Sequence, residues 1–146
     1  MAGIHVRNRI LAEVKAHLMN LPTTGVNVFD DPAEAVSDES LPGIVIEPGR
    51  ESTESLGEIG EPDAGYIQDR ALTVNVTAIA KSIAQRDQSA TEIEEAILSS
   101  SIGVNRKLDA TDFDASADGN TRLWVCALSF EIQYLTESKY PRHAVR

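Results

Sequence analysis

Apolar positions recur along this chain in two rhythms, one suited to a helix and the other to strands. Val6, Ile10, Leu11, Val14, Leu18 and Leu21 fall in one stripe roughly 140° wide when residues are set 100° apart, which predicts an amphipathic first helix. Arg7 interrupts that stripe only in its first turn, and Glu13, Lys15, Ala16 and Asn20 lie outside it. From Ile67 onward the period shortens to two. Leu72, Val74, Val76, Ala78 and Ala80 point one way, with Thr73, Asn75 and Thr77 pointing the other, the pattern of a long half-buried strand. Trp124, Cys126, Leu128, Phe130, Ile132 and Tyr134 form the longest apolar alternation and mark a central strand.

The segments between these runs carry their own punctuation. In "LPTTGVNVF", residues 21–29, Pro22 disfavours helical geometry at Leu21 and Gly25 is free to take positive φ, so the chain stops and reverses into a short strand, "VNVF". "DPAEAV" offers Asp31 as N-cap, Pro32 at the first position and Glu34 at the third, the chemistry of a short helical turn. "LPGIVIEPG" predicts a strand of about five residues closed by Pro and Gly at each end. "RESTESLGEIGEPDAGY", residues 50–66, holds three glycines, a proline and five carboxylates, and is expected as a long acidic loop or an extended hairpin. "SATEIEEAIL" presents Ser89 and Glu92 as a capping-box pair opening a second helix, with Ile93, Ala96 and Ile97 on one face. "DATDFDASADGN" reads as a polar loop, and "ESKYPRHAVR" as a loose basic tail.

Two helices and about four strands in this order predict an α+β domain over residues 1–138, with both helices on one face of a largely antiparallel or mixed sheet, followed by a flexible tail at 139–146. The second face, carrying Thr73, Asn75, Thr77, Ser129, Glu131 and Gln133, is polar enough to meet water or a partner subunit. At 146 residues, 42% hydrophobic and 25% charged, the chain suffices for a real core. Its apolar runs fall short of a bilayer span and its N-terminus lacks a signal-peptide core, so no membrane role and a cytoplasmic start are expected. Cys126 is the one cysteine; set within an apolar strand, it is expected as a reduced, buried thiol.

The net charge of −10 argues against wrapping the outside of a nucleic acid, which needs a basic footprint. It does not prevent DNA from passing nearby. Acidity concentrates between Asp30 and Asp69, where Arg50 is the sole basic residue, and composition alone favours reading it as a solvated loop that keeps the chain soluble. No phosphate loop, dinucleotide fingerprint, nucleophile elbow or paired-cysteine motif occurs. His5, His17 and His143 are not placed by sequence beside a nucleophile. The close aspartates of residues 109–118 suggest calcium, but the order of ligands in a calcium loop is missing. Neither enzymatic activity nor a cofactor or metal is expected.

"TTGVNVFD", "LPGIVIEPGRES", "DRALTVNVTAIA" and "LWVCALSFEIQY" stand in an order and spacing that resemble the phage tail terminator family, from about Val6 to Thr136. Relatives tend to place an Arg in the turn after the first strand, where this chain has "DDPAE". The resemblance implies a structural virion protein: a ring, usually of six copies, at the head-proximal end of the tail, assembled in the host cytoplasm. Such a ring halts tube polymerisation and offers a surface to the head or connector. The implied partners are further copies, the tail tube protein and a neck protein, with DNA passing unbound through the bore. Within that picture Glu51, Glu54, Glu58 and Glu61 are candidates for the bore, and Arg50 and Arg70 for inter-subunit or internal salt bridges. A head-tail joining or tail tube protein is the alternative reading. A host enzyme using the Asp-rich stretch is the rival from another class.

Overall fold

The computed structural model describes residues 5–36, 38–58, 66–118, 121–137 and 144–145. It is an α+β fold. Helix α1 spans Val6–Leu18 and helix α2 spans Ile83–Leu98; the strands are β1 (Val28–Phe29), β2 (Gly43–Glu58), β3 (Tyr66–Ala80), β4 (Asn105–Asp118), β5 (Thr121–Glu137) and β6 (Ala144–Val145). The sheet order is β1-β2-β3-β5-β4, with β6 also pairing β5. β1 runs parallel to β2, and the other pairings are antiparallel.

The two sequence rhythms meet in one core. Val6, Ile10, Val14 and Leu18 of α1, together with Ile93 and Ile97 of α2, bury against Ile44, Ile46, Leu72, Val74, Val76 and Ala78 and the even-numbered apolar positions of β5 from Cys126 to Tyr134. Fully burying each large side chain contributes about 1.5–3 kcal/mol, so this face supplies most of the apolar driving force. The central position expected for the last alternation is where β5 lies, between β3 and β4. A smaller cluster of Val45, Ile79 and Leu123, packed by Phe29, Leu41 and Val125, sits at one end of the opposite face.

The turn at residues 21–29 works as its letters predict. Gly25 takes φ +58° and Asn20 φ +63°, while the Gly25 amide donates to the Leu21 carbonyl and the Asn20 amide to the Gly25 carbonyl. Asp31 also caps as expected: its carboxylate accepts from the Ala33 amide at 3.0 Å, opening a 3-10 turn at Pro32–Val36.

Three local expectations change and one open alternative is resolved. The strand at "LPGIVIEPG" does not stop at Pro48 but continues to Glu58 through a bulge, since Pro48 pairs with Val74 and Glu51 with Leu72. Proline is tolerated there because β1 covers only Ile44 and Val45, leaving the outer side of β2 open beside Pro48. For residues 50–58 and 66, the extended hairpin is realised rather than the long acidic loop. α2 starts at Ile83 with Ser82 as its cap, the Ser82 hydroxyl accepting from the Gln85 amide, and Ser89 and Glu92 lie buried inside the helix. "DATDFDASAD" is not a loop; it forms most of β4, because β5 supplies a complete pairing partner that outweighs the low strand preference of aspartate.

Gly103, at φ +65°, turns the chain from α2 into β4. A Cβ there would stand 2.6 Å from the Gln133 carbonyl oxygen and 2.9 Å from Ile132 Cγ2.

Candidate functional site

Beyond the N-terminus of α1, where the helices no longer cover the sheet, an ionic cluster closes the helix-side face. The bulge at Pro48 adds one residue to β2, so Glu51 falls in phase with Leu72 and turns toward the helices instead of the open face. Its carboxylate accepts from Arg7 Nε at 3.0 Å, from Arg7 Nη2, from Arg70 Nη1 at 3.2 Å and from the Tyr134 hydroxyl. Arg70 also donates to Thr136 Oγ1 at 2.8 Å and to Gln68 Oε1 at 3.0 Å. One carboxylate thus joins α1, β2, β3 and β5. His5, which caps α1 by accepting the Arg7 amide at 2.9 Å, lies beside it.

The electrostatics suit a structural clamp. Burial pushes the Glu51 carboxyl up, but hydrogen bonds from Arg7 and Tyr134 and the charges of Arg7 and Arg70 hold it below the usual range. Burial, reinforced by the hydrogen bond to Glu51, pushes the Tyr134 phenol up, so it stays protonated and donates. Burial and then the arginine charges lower His5, keeping its ring neutral as an N-cap acceptor. The Glu51 side chain is 11% exposed and that of Arg70 12%, whereas Arg7 at 38% reaches water.

A second carboxylate fixes the turn between α1 and β1. Glu92 Oε1 accepts from the Thr23 amide at 2.9 Å and Oε2 from the Thr23 hydroxyl at 2.7 Å, with Gln88 Nε2 donating at 2.9 Å. Burial again works against the charge, but these donors leave the carboxyl below its ordinary range.

The opposite face of the sheet is acidic. The registers place Glu47, Glu54, Asp69, Asp112, Asp114 and Glu131 on it together with Lys107, while Arg50, in the β2 bulge, has no registered partner. Lys107 approaches Glu131 at 3.7 Å and Asp109 at 3.6 Å, and Gln133 donates to both oxygens of Asp69. Glu54 stands directly opposite Asp69, a like-charge pair tolerated because Glu54 reaches water.

The sequence-predicted residues therefore separate. Glu51 and Arg70 come together, inside the chain and on the helix side. Glu54 is exposed on the acidic face, and Arg50 is exposed in the bulge. Glu58 pairs through its backbone with Tyr66, and Glu61 lies outside the described residues. Sequence reasoning missed Arg7, Tyr134 and Thr136 as partners of Glu51 and Arg70, because they stand 44, 83 and 66 positions from the residues they bind. The available signal was Arg7 itself, a charge inside an apolar stripe. Among the described residues no group of three or more His, Cys, Asp or Glu could hold a metal ion. Cys126 is buried, and burial pushes its thiol up.

No family model matches the chain, and no curated protein does. Among solved structures it is similar to a chain in the virion of a native gene transfer agent particle, with 16% sequence identity, a TM-score of 0.49, and coverage of 86% of this chain and 94% of that one.

Proposed function

We propose that this protein is a structural component of a phage virion, a tail terminator whose copies close into a ring of about six on the end of the tail tube. The ring stops tube growth and presents a surface to the head or its connector. What carries the reading is the division of the sheet into a helix-covered apolar face and an acidic open face, in a chain whose ordered landmarks resemble that family.

A ring that passes DNA needs an inner wall that repels phosphate. The acidic face meets that need with Glu47, Glu54, Asp69, Asp112, Asp114 and Glu131, a set that keeps Glu54 from the sequence-level candidates and leaves Glu51 to the internal clamp. Arg50, exposed at the bulge, remains a candidate for a contact between copies. A heterologous contact that closes after a fixed rotation gives a ring; one that fails to close gives a filament.

Native mass measurement combined with electron microscopy of particles tests this. About six copies, found once at the head-proximal end of the tail, are expected. Copies repeated along the whole tube would instead make it a tail tube protein, and a strict monomer absent from particles would end the reading.

A further inference from the structure

β4 is an edge strand: it pairs with β5 on one side, and no strand among the described residues pairs with the other. From Asp109 to Asp114 every residue is exposed. The two edges of the sheet differ. On β2 the outer side is broken by Pro48 and its bulge, whereas β4 is regular from Ala110 to Asp118.

The register dictates what the two faces of that edge offer. Thr111 and Phe113 point to the helix side, where Phe113 is 61% exposed and borders a groove lined also by Asp87, Ala90, Thr91, Glu94 and Leu128. Arg86 of α2 stacks on the Phe113 ring, its guanidinium carbon 4.9 Å from the centroid, and lies 5.8 Å from that of Trp124. This fixes the aromatic wall in place. Asp112 and Asp114 point to the other face, level with Ala127 and Val125.

We infer that the β4 edge is a docking site for an extended segment of a different protein in which Lys or Arg alternates with apolar residues. A strand added there places every second side chain beside Asp112 and Asp114 and the intervening ones beside Thr111 and Phe113, over the groove. Charge complementarity selects the occupant. A second copy pairing through β4 would set aspartates against aspartates, and one offering its β2 edge would bring Glu47 and Glu54 with Arg50 as the single opposing charge between them. Taken with the proposed ring, on which its biological meaning rests, this is the surface that meets a neighbouring virion protein.

The test uses the full chain and two synthetic eight-residue peptides, one alternating lysine with valine and one alternating glutamate with valine. The lysine peptide is expected to bind at least tenfold more tightly, with amide-exchange protection concentrated at residues 110–114. Phe113→Ser should weaken it, and the double substitution Asp112→Lys, Asp114→Lys should reverse the preference. Equal binding of both peptides, protection spread over the whole acidic surface, or insensitivity to these substitutions would overturn the inference. So would protection of the same amides in the protein's own oligomer that the lysine peptide does not displace, since the occupant would then be a second copy. Rings that form while the peptide fails to bind would remove only this inference; a monomer that binds the peptide would remove only the ring.

Discussion

Glu92, in the middle of α2, holds Thr23 through both carboxylate oxygens, one on the backbone amide and one on the hydroxyl. The Thr-Gly turn is therefore a tertiary contact as well as a local one: Gly25 lets the chain reverse, and Thr23 ties the reversal to the second helix. Glu92→Ala strands a half-buried amide and hydroxyl and is expected to cost about 2 kcal/mol. Thr23→Val removes only the hydroxyl and should cost about half as much. A double-mutant cycle in urea should show coupling; strictly additive losses would deny that the pair acts together.

Removing Glu51 leaves two guanidinium groups and a phenol facing one another. Breaking a buried ion pair from one side costs about 3–5 kcal/mol. Here Arg7 reaches water at 38% exposure, so Glu51→Ala is expected at about 2–3 kcal/mol after that discount. Tyr134→Phe removes one hydrogen bond to a charged acceptor and should cost about 1–2 kcal/mol. Equilibrium unfolding measures both, and a Glu51→Ala protein as stable as the parent would show that the cluster contributes nothing.

Acid should weaken the fold through the same two carboxylates. Both sit below the ordinary value of 4.5 in the folded chain, so the folded state binds fewer protons there than the unfolded state. Their contribution is complete above that value and is lost as pH falls through the folded values. Urea midpoints taken from pH 6 to pH 3 should decline across that lower window, and Glu92→Gln should decline less steeply. A parallel pair of curves would contradict the assignment.

Gly103→Ala should destabilise by about 2 kcal/mol or more, because it combines positive φ with a Cβ placed against the Gln133 carbonyl. Gly25→Ala also meets positive φ but has open space around it. It should cost about 1 kcal/mol. Thermal unfolding of the two variants should rank them in that order.

The layered core was legible because α1, β3 and β5 each bury one face, and burial writes a period into the sequence. β4 was not. An edge strand exposed along residues 109–114 leaves little apolar rhythm, and aspartate favours turns when nothing else decides. Its partner β5, the next strand in the chain, decides by pairing along its whole length. Ser89 and Glu92 resemble a capping box in spacing alone; Ser82, seven residues earlier, caps the helix, and Glu92 is freed to hold Thr23. Glu51 was unreadable for a third reason. One bulge residue at Pro48 moves it from the open face to the helix side, and alternation cannot reveal a shift of phase that pairing with β3 imposes.

The terminator reading requires a tailed phage that carries this reading frame, and its most direct test is the distribution of tail lengths in that phage's lysates after a stop codon is placed early in the frame. Tails should become longer than normal and variable, and should fail to join heads, with both defects corrected when the intact chain is supplied in trans. Tails of normal length attached to heads in the absence of the chain would contradict it.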